Sequence, residues 1–232
     1  MDHDATYEFV HKNQSKACMQ GGSLMKSDRL VLSTFSNFVE YLKIRMQLEF
    51  FLDQSQESLI RFLFGTAIIT TRKDYLNSLY IDYPVGKQVG ARDKIDIFLA
   101  SNNGYYFEVK FMRPIPSRAT RPLPQHRGAL INDVIKLIKL TPHESHRFLL
   151  LVADDEFIRH VEKKPGFPLT GSWYGQIEDL IVAETERRQI KFPNSYNLNV
   201  EMAVVSEDEV NELIIVLWDI KCPRAHISDK ST

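Results

Sequence analysis

Apolar and polar residues alternate through Lys94–Phe111, whose sequence is KIDIFLASNNGYYFEVKF. Successive side chains of a β-strand point to opposite faces of a sheet, so the alternation predicts two strands, each with one apolar and one charged face. Between them lies Asn102-Asn103-Gly104, which is typical of a tight turn because Asn and Gly tolerate a positive φ. We expect the rest of the fold to be organised around this hairpin.

The register of the hairpin decides which charged side chains share a face. A three-residue loop with a left-handed Gly104 pairs Asp96 with Lys110. The same register pairs Phe98 with Glu108, so all three charged side chains lie on one face and the apolar positions lie on the other. A two-residue loop would shift the pairing by one and move Asp96 to the face opposite Glu108. The hydrophobic pattern therefore favours the three-residue loop.

Hydrophobic periodicity predicts further helices and strands around the hairpin. In chain order these are a helix starting at Asn37 as its N-cap, a helix over Glu57–Gly65, a strand over Leu79–Val85, a helix over Gly128–Leu140, a buried strand over Arg147–Ala153, a helix over Trp173–Gln189, and strands over Asn199–Val205 and Glu212–Ile220. Phe157–Thr170 is predicted to be a loop, and the acidic stretch SEDEVN is predicted to join the last two strands.

The order helix, strand, strand, strand, helix, strand predicts an α/β fold with a mixed central sheet flanked by helices. A C-terminal helix and two further strands are added to this core, and they extend the sheet or build a subunit contact. Residues 1–33 show no clear periodicity and are predicted to form an N-terminal extension. Residues 34–232 are predicted to form one domain, with its core over residues 55–153.

The composition is that of an ordinary globular protein, since 44% of the 232 residues are hydrophobic and 25% are charged. Cys18 and Cys222 are far apart, which argues against a disulfide framework or a thiolate zinc site and favours a reducing, cytoplasmic setting. The sequence contains no apolar run long enough to predict a membrane span. The net charge of −1 excludes a bulk polycation, so any affinity for nucleic acid must come from a local field.

Two carboxylates and a lysine on one sheet face indicate a specific chemistry. The oxygens of Asp96 and Glu108 are hard ligands suited to Mg²⁺ or Mn²⁺. Such a metal neutralises a phosphodiester and lowers the pKa of a bound water, and Lys110 beside it orients that water or stabilises developing charge. Walker, GxGxxG and GxSxG motifs are absent from the sequence, which disfavours NTPase, dinucleotide-binding and serine-hydrolase functions.

Asp96, followed on the next strand by Glu108-Val109-Lys110, resembles the PD-(D/E)xK signature of restriction-endonuclease-like nucleases. Ile95 stands where the motif has proline. The resemblance covers residues 55–153 and implies a restriction-endonuclease-like core, α-β-β-β-α-β. It also implies a Mg²⁺- or Mn²⁺-dependent nuclease that acts on nucleic acid, with DNA favoured over RNA, and a homodimer that cuts both strands.

The resemblance further implies roles for individual residues. Asp96 and Glu108 would ligate the metal, and Val109 would add its backbone carbonyl. Lys110 would position or activate the attacking water. A helix before the sheet often adds an acidic residue in this family, and Glu57 is the first candidate, with Glu49 second.

The segment Phe111–Arg127, FMRPIPSRATRPLPQHR, is rich in proline and arginine and contains no acid. Its prolines disfavour a regular helix or strand interior, so it is predicted to be a loop. Arginine suits bidentate contact with phosphate, and the segment leaves directly from the strand that carries Lys110. We therefore predict an arm that grips the nucleic-acid backbone through four side chains: Arg113, Arg118, Arg121 and Arg127.

Simpler interpretations stay open beside these. The hairpin face can be merely solvated, with an exposed Asp96–Lys110 ion pair worth about 0–1 kcal/mol. Glu57 and Arg61 are four residues apart and suit an exposed helical pair. At the level of function, the alternatives are a catalytically inactive nuclease-fold protein that binds or regulates, and an interaction protein that uses its acidic C-terminal hairpin.

Overall fold

Six β-strands form one mixed sheet in the computed structural model of this protein. The structure describes residues 26–47, 56–85, 94–101, 103–112, 123–162, 177–189 and 200–222. The strands are β1 (Leu79–Pro84), β2 (Lys94–Leu99), β3 (Tyr105–Met112), β4 (His146–Asp154), β5 (Glu201–Val210) and β6 (Leu213–Lys221). The helices are α1 (Lys26–Gln47), α2 (Gln56–Thr71), α3 (Leu123–Leu140), α4 (Asp155–Glu162) and α5 (Ile177–Arg188), and a 3-10 helix spans Lys73–Ser78.

The strand order is β1-β2-β3-β4-β6-β5, and only the β3–β4 pair is parallel. The predicted α/β class with a mixed sheet is thereby confirmed, and the last two strands extend the sheet. Strand β4 is central, and its apolar run is buried on both faces, as predicted for a strand next to a helical crossover.

Helices cover both faces of the sheet. Phe64 of α2 packs edge-on against Phe107 of β3, with ring centroids 5.2 Å apart. Helix α3 packs instead among residues that include Tyr106 and Leu149. Because neighbouring residues of a strand point to opposite faces, α2 and α3 lie on opposite sides of the sheet.

The chain divides into two units, Met1–Val31 and Leu32–Thr232, and all six strands lie in the second. Helix α1 begins at Lys26 rather than at Asn37, so it crosses the boundary at residue 33 predicted for the N-terminal extension. Asn37 therefore lies inside the helix and does not cap it, and its side-chain amide donates to Thr71 Oγ1 at 2.9 Å, which ties α1 to α2. No helix of the described residues is long and apolar enough to cross a bilayer.

Two further predicted helix boundaries, at Gly65 and at Gly128, are wrong. Helix α2 continues past Gly65 to Thr71, and Gly65 faces β1, where an added Cβ would make an ordinary contact of 3.4 Å with Ile81 Cδ1. Helix α3 starts at Leu123 rather than at Gly128. Pro124 is tolerated there because the first turn of a helix has no intrahelical partner for its N–H groups.

The C-terminal part differs from its predicted layout in two places. Part of the predicted loop Phe157–Thr170 is helical, because α4 begins directly after β4. Its first turn is capped by Asp154, whose Oδ1 accepts a hydrogen bond from the Phe157 N–H at 2.8 Å. Most of the acidic stretch predicted to connect the last strands belongs to β5, and the turn falls at Asn211, which has a positive φ of 56°.

Candidate active site

The hairpin of β2 and β3 has the predicted faces but not the predicted register. Leu99 lies opposite Tyr105 and Phe98 opposite Tyr106, which is two residues away from the predicted pairing. The connection is therefore longer than three residues, although Gly104 is left-handed as predicted, with φ 70°. Because the side-chain period of a strand is two, this shift leaves every side chain on its predicted face.

The observed register brings Asp96 and Glu108 directly across from each other. Asp96 Oδ2 accepts a hydrogen bond from the Val109 N–H at 2.8 Å. Glu108 Oε1 in turn accepts one from the Asp96 N–H at 3.3 Å. Side-chain oxygens therefore bind the backbones of both strands at this point, and the two carboxylates are held side by side.

Glu108 is buried, with only 2% of its surface exposed, and it pairs with Lys136 of α3. Lys136 Nζ lies 2.7 Å from Glu108 Oε1 and 2.8 Å from Oε2. Burial raises the pKa of Glu108 well above its ordinary value, and the neighbouring charge of Asp96 raises it further, while Lys136 offsets part of the effect. Negative charge at Glu108 is thus costly and is stabilised by one lysine.

Lys110 lies between two carboxylates rather than beside Asp96. Its Nζ is 3.2 Å from Asp133 Oδ2 of α3 and 3.5 Å from Glu57 Oε2 of α2. Burial alone would lower the pKa of Lys110, but the charges of Asp133 and Glu57 outweigh it, and the pKa is raised. Burial raises the pKa of Asp133 to about 6, even though Lys110 acts in the opposite direction. Lys110 therefore stays a cation at neutral pH.

Arg61 of α2 links three carboxylates, those of Glu57, Asp82 and Asp96. Its Nη1 donates to Asp82 Oδ1 at 2.7 Å and to Asp96 Oδ1 at 3.3 Å. Its Nη2 lies 4.0 Å from Glu57 Oε1, so the helical pair expected from sequence is present but also reaches the sheet. Asp82 has a left-handed φ of 53°, and such strained positions occur where a side chain has to be re-aimed.

Five carboxylates and three cationic side chains from α2, α3 and three strands thus form one charge cluster, connected by ion pairs and by the hydrogen bond from the Asp96 N–H to Glu108. Comparisons with family models, curated proteins and solved structures found no match to the chain. The chemistry available to the charge cluster is therefore inferred from its own side chains. Its excess of acids favours binding of a cation rather than direct binding of an anion.

The structure brings together the four residues predicted for catalysis: Glu57, Asp96, Glu108 and Lys110. Sequence reasoning did not assign a role in the site to Arg61, Asp82, Asp133 or Lys136. Asp133 and Lys136 carried one signal, since they are charged residues three apart in the mainly apolar C-terminal half of α3. Asp82 carried none that separates it from an ordinary strand residue.

The predicted phosphate-gripping arm falls mainly outside the described residues. Arg113, Arg118 and Arg121 lie there, as does Glu49. Arg127 belongs to helix α3 rather than to a loop, and its side chain is outside the description. The contact of these arginines with nucleic acid stays a prediction.

Among the described residues, no three His, Cys, Asp or Glu side chains stand close enough together to hold a metal ion. The donor chemistry of the pair Asp96 and Glu108 nevertheless fits a hard divalent cation. A bound cation would stabilise the ionised form of Glu108 and so lower its raised pKa. Arg61 and Lys136 occupy the oxygens of this pair, so a metal would take over charge compensation from these two side chains.

Proposed function

We propose that this protein is a Mg²⁺- or Mn²⁺-dependent nuclease that hydrolyses phosphodiester bonds, with DNA as the favoured substrate. The observation that carries the proposal is the convergence of Asp96, Glu108 and Lys110 at the junction of β2 and β3. The element order α2-β1-β2-β3-α3-β4 supports it, because this is the order of the restriction-endonuclease-like core that the sequence resembles.

Each side chain has a definable task in this reaction. Asp96 and Glu108 would hold the cation, together with the Val109 carbonyl, and the bound cation would supply a water of lowered pKa and offset phosphate charge. Lys110 stays protonated, so it donates hydrogen bonds to the water or the phosphate and does not act as a base. Asp133 holds Lys110 in place, and its pKa of about 6 suits it to accept a proton near neutral pH.

A nuclease assay on supercoiled plasmid and single-stranded DNA, in Mg²⁺, Mn²⁺ or EDTA, tests this function. Glu108→Gln and Lys110→Met are the variants, because both keep side-chain size. Glu209→Gln is the matched control, since this exposed acid lies on β5 at the opposite edge of the sheet from β1. We expect metal-dependent cutting by the wild type and the control, and a loss of roughly 100-fold or more in each site variant.

Two outcomes would contradict the proposal. Equal cutting by all four proteins would identify a contaminating nuclease. No cutting by the wild type under any condition would favour a non-catalytic binding or regulatory protein on the same fold. One observation supports that second candidate: Arg61 and Lys136 already neutralise Asp96 and Glu108 inside the protein, without a metal.

A further inference from the structure

A row of aromatic rings crosses the sheet beside the charge cluster. Its members are Tyr80 of β1, Phe98 of β2 and Tyr106 of β3, which lie directly opposite one another in the strand register. The ring of Phe98 stacks on that of Tyr106, with centroids 4.6 Å apart, and on that of Tyr80, with centroids 5.8 Å apart. Tyr83 packs on this row at a tilt, with its centroid 4.4 Å from that of Phe98 and 5.6 Å from that of Tyr80.

The aromatic row lies on the same sheet face as the carboxylate pair. Phe98 is two residues from Asp96, and Tyr106 is two residues from Glu108. Residues two apart on a strand share a face and are about 7 Å apart along it. A nucleic-acid strand whose phosphate lies at the carboxylate pair would therefore bring an adjacent base over the aromatic row.

The row becomes more exposed toward the edge of the sheet. Tyr106 is 7% exposed, Phe98 is half-buried, and Tyr80 is 45% exposed. Strand β1 is an edge strand, so no further strand of the described sheet covers the outer side of Tyr80. The ordered stack thus ends in an accessible aromatic ring close to the candidate active site.

We propose that this end of the aromatic row stacks an unpaired nucleobase, so that the substrate is single-stranded or locally unpaired nucleic acid. The inference rests on the proposed nuclease function and narrows its substrate class. Bases within a duplex are stacked on each other and cannot reach such a ring, whereas single strands bind aromatic platforms through successive bases. The aligned rings of Tyr80, Phe98 and Tyr106 suit this occupant because every base has a π-face.

Fluorescence anisotropy with labelled oligonucleotides tests the inference. The probes are an oligothymidine of about 20 nucleotides, an abasic strand of the same length and a duplex, measured in Ca²⁺ and separately in EDTA, with strand integrity checked on a gel. The proteins are the wild type, Tyr80→Leu, Tyr80→Phe and Phe62→Leu. Phe62 is the matched control, because it is an exposed aromatic residue on α2, which packs on the other sheet face.

We expect the wild type to bind oligothymidine roughly 5- to 100-fold more tightly than the abasic strand or the duplex. Tyr80→Leu should lower the affinity for oligothymidine to that for the abasic strand and leave abasic binding unchanged. Tyr80→Phe and Phe62→Leu should both behave as the wild type, because the first keeps the ring and the second lies elsewhere.

Equal wild-type affinity for all three probes, or no binding, would overturn the inference without any variant. So would an equal loss of affinity by Tyr80→Leu for the oligothymidine and the abasic strand, which would indicate a ring that only stabilises the edge of the sheet. The experiments distinguish failure of this inference from failure of the proposed function. Base-dependent binding without metal-dependent cutting would refute the nuclease function and support base stacking. Metal-dependent cutting that is insensitive to Tyr80→Leu would support the nuclease function and refute base stacking at Tyr80.

Discussion

The pair of Lys136 and Glu108 offers a sharp test of the electrostatics of the site. Lys136→Met keeps an apolar side chain of similar length but removes the ammonium group that contacts both oxygens of Glu108. Breaking a buried ion pair by removing one partner costs about 3–5 kcal/mol. We expect the cost of Lys136→Met to lie near the lower limit of this range. The pKa of Glu108 is already raised, so the carboxyl group relieves its unpaired charge by taking up a proton. For a protein of this size, about 3 kcal/mol lowers the melting temperature by roughly 6–12 °C.

The cost of Lys136→Met should depend on pH with a definite sign. The pKa of Glu108 is raised on folding, so its contribution to stability is complete below the unfolded value of 4.5 and is lost as pH rises through the folded value. Removing Lys136 raises the folded pKa further, because the lysine acts to lower it. The difference in free energy of unfolding between wild type and variant should therefore widen as pH rises past the raised folded pKa of Glu108 in the wild type.

Urea unfolding in EDTA, followed by tryptophan fluorescence at several pH values, measures this difference. Lys139→Met is the control, since this exposed lysine lies on the same helix and its loss should change stability by about 0.5 kcal/mol or less. Glu108→Gln added to Lys136→Met should recover most of the loss, because the double variant buries no unpaired charge. A Lys136→Met variant as stable as Lys139→Met at every pH would refute the reasoning.

Two further changes test the cluster and the hairpin. The pKa of Asp133 rises from 3.8 to about 6, which makes its ionised form about 3 kcal/mol less favourable in the folded than in the unfolded protein. Wild-type stability should fall by up to that amount as pH rises from below 3.8 to above 6, and urea unfolding of Asp133→Asn should lack this component; parallel pH profiles would contradict it. Gly104→Ala should cost at least about 1–2 kcal/mol in thermal unfolding, because φ is 70° and the new Cβ would lie 2.9 Å from Tyr106 Cε2. Asn103→Ala, in the same turn, is the control, and equal melting of the two variants would exclude this strain.

The predictions that held depend on local periodicity. Alternation in β2 and β3 predicted their apolar and charged faces, and the faces survived a register that was wrong by two residues, because a strand repeats every two residues. The continuous apolar run of β4 predicted a strand buried on both faces, because burial on both faces leaves no polar position.

The predicted helix boundaries failed because each relied on the type of a single residue. Asn37 suited a helix cap by type, but α1 already begins at Lys26, and the amide of Asn37 donates to Thr71 of another helix. Gly65 suited a helix stop, but α2 continues past it to Thr71. In both cases the residue type suits a helix interior as well as a helix end, so the type alone did not locate the end.

The sequence by itself determined the α/β class, the central hairpin and the common face of Asp96, Glu108 and Lys110, because these follow from side-chain period and residue type. Only the tertiary structure decided which charges meet. Lys136 reaches Glu108 across 28 positions of the chain, and Lys110 meets Glu57 across 53. No local sequence pattern encodes such contacts. They form when helices that precede and follow the hairpin in the chain pack around one point of the sheet.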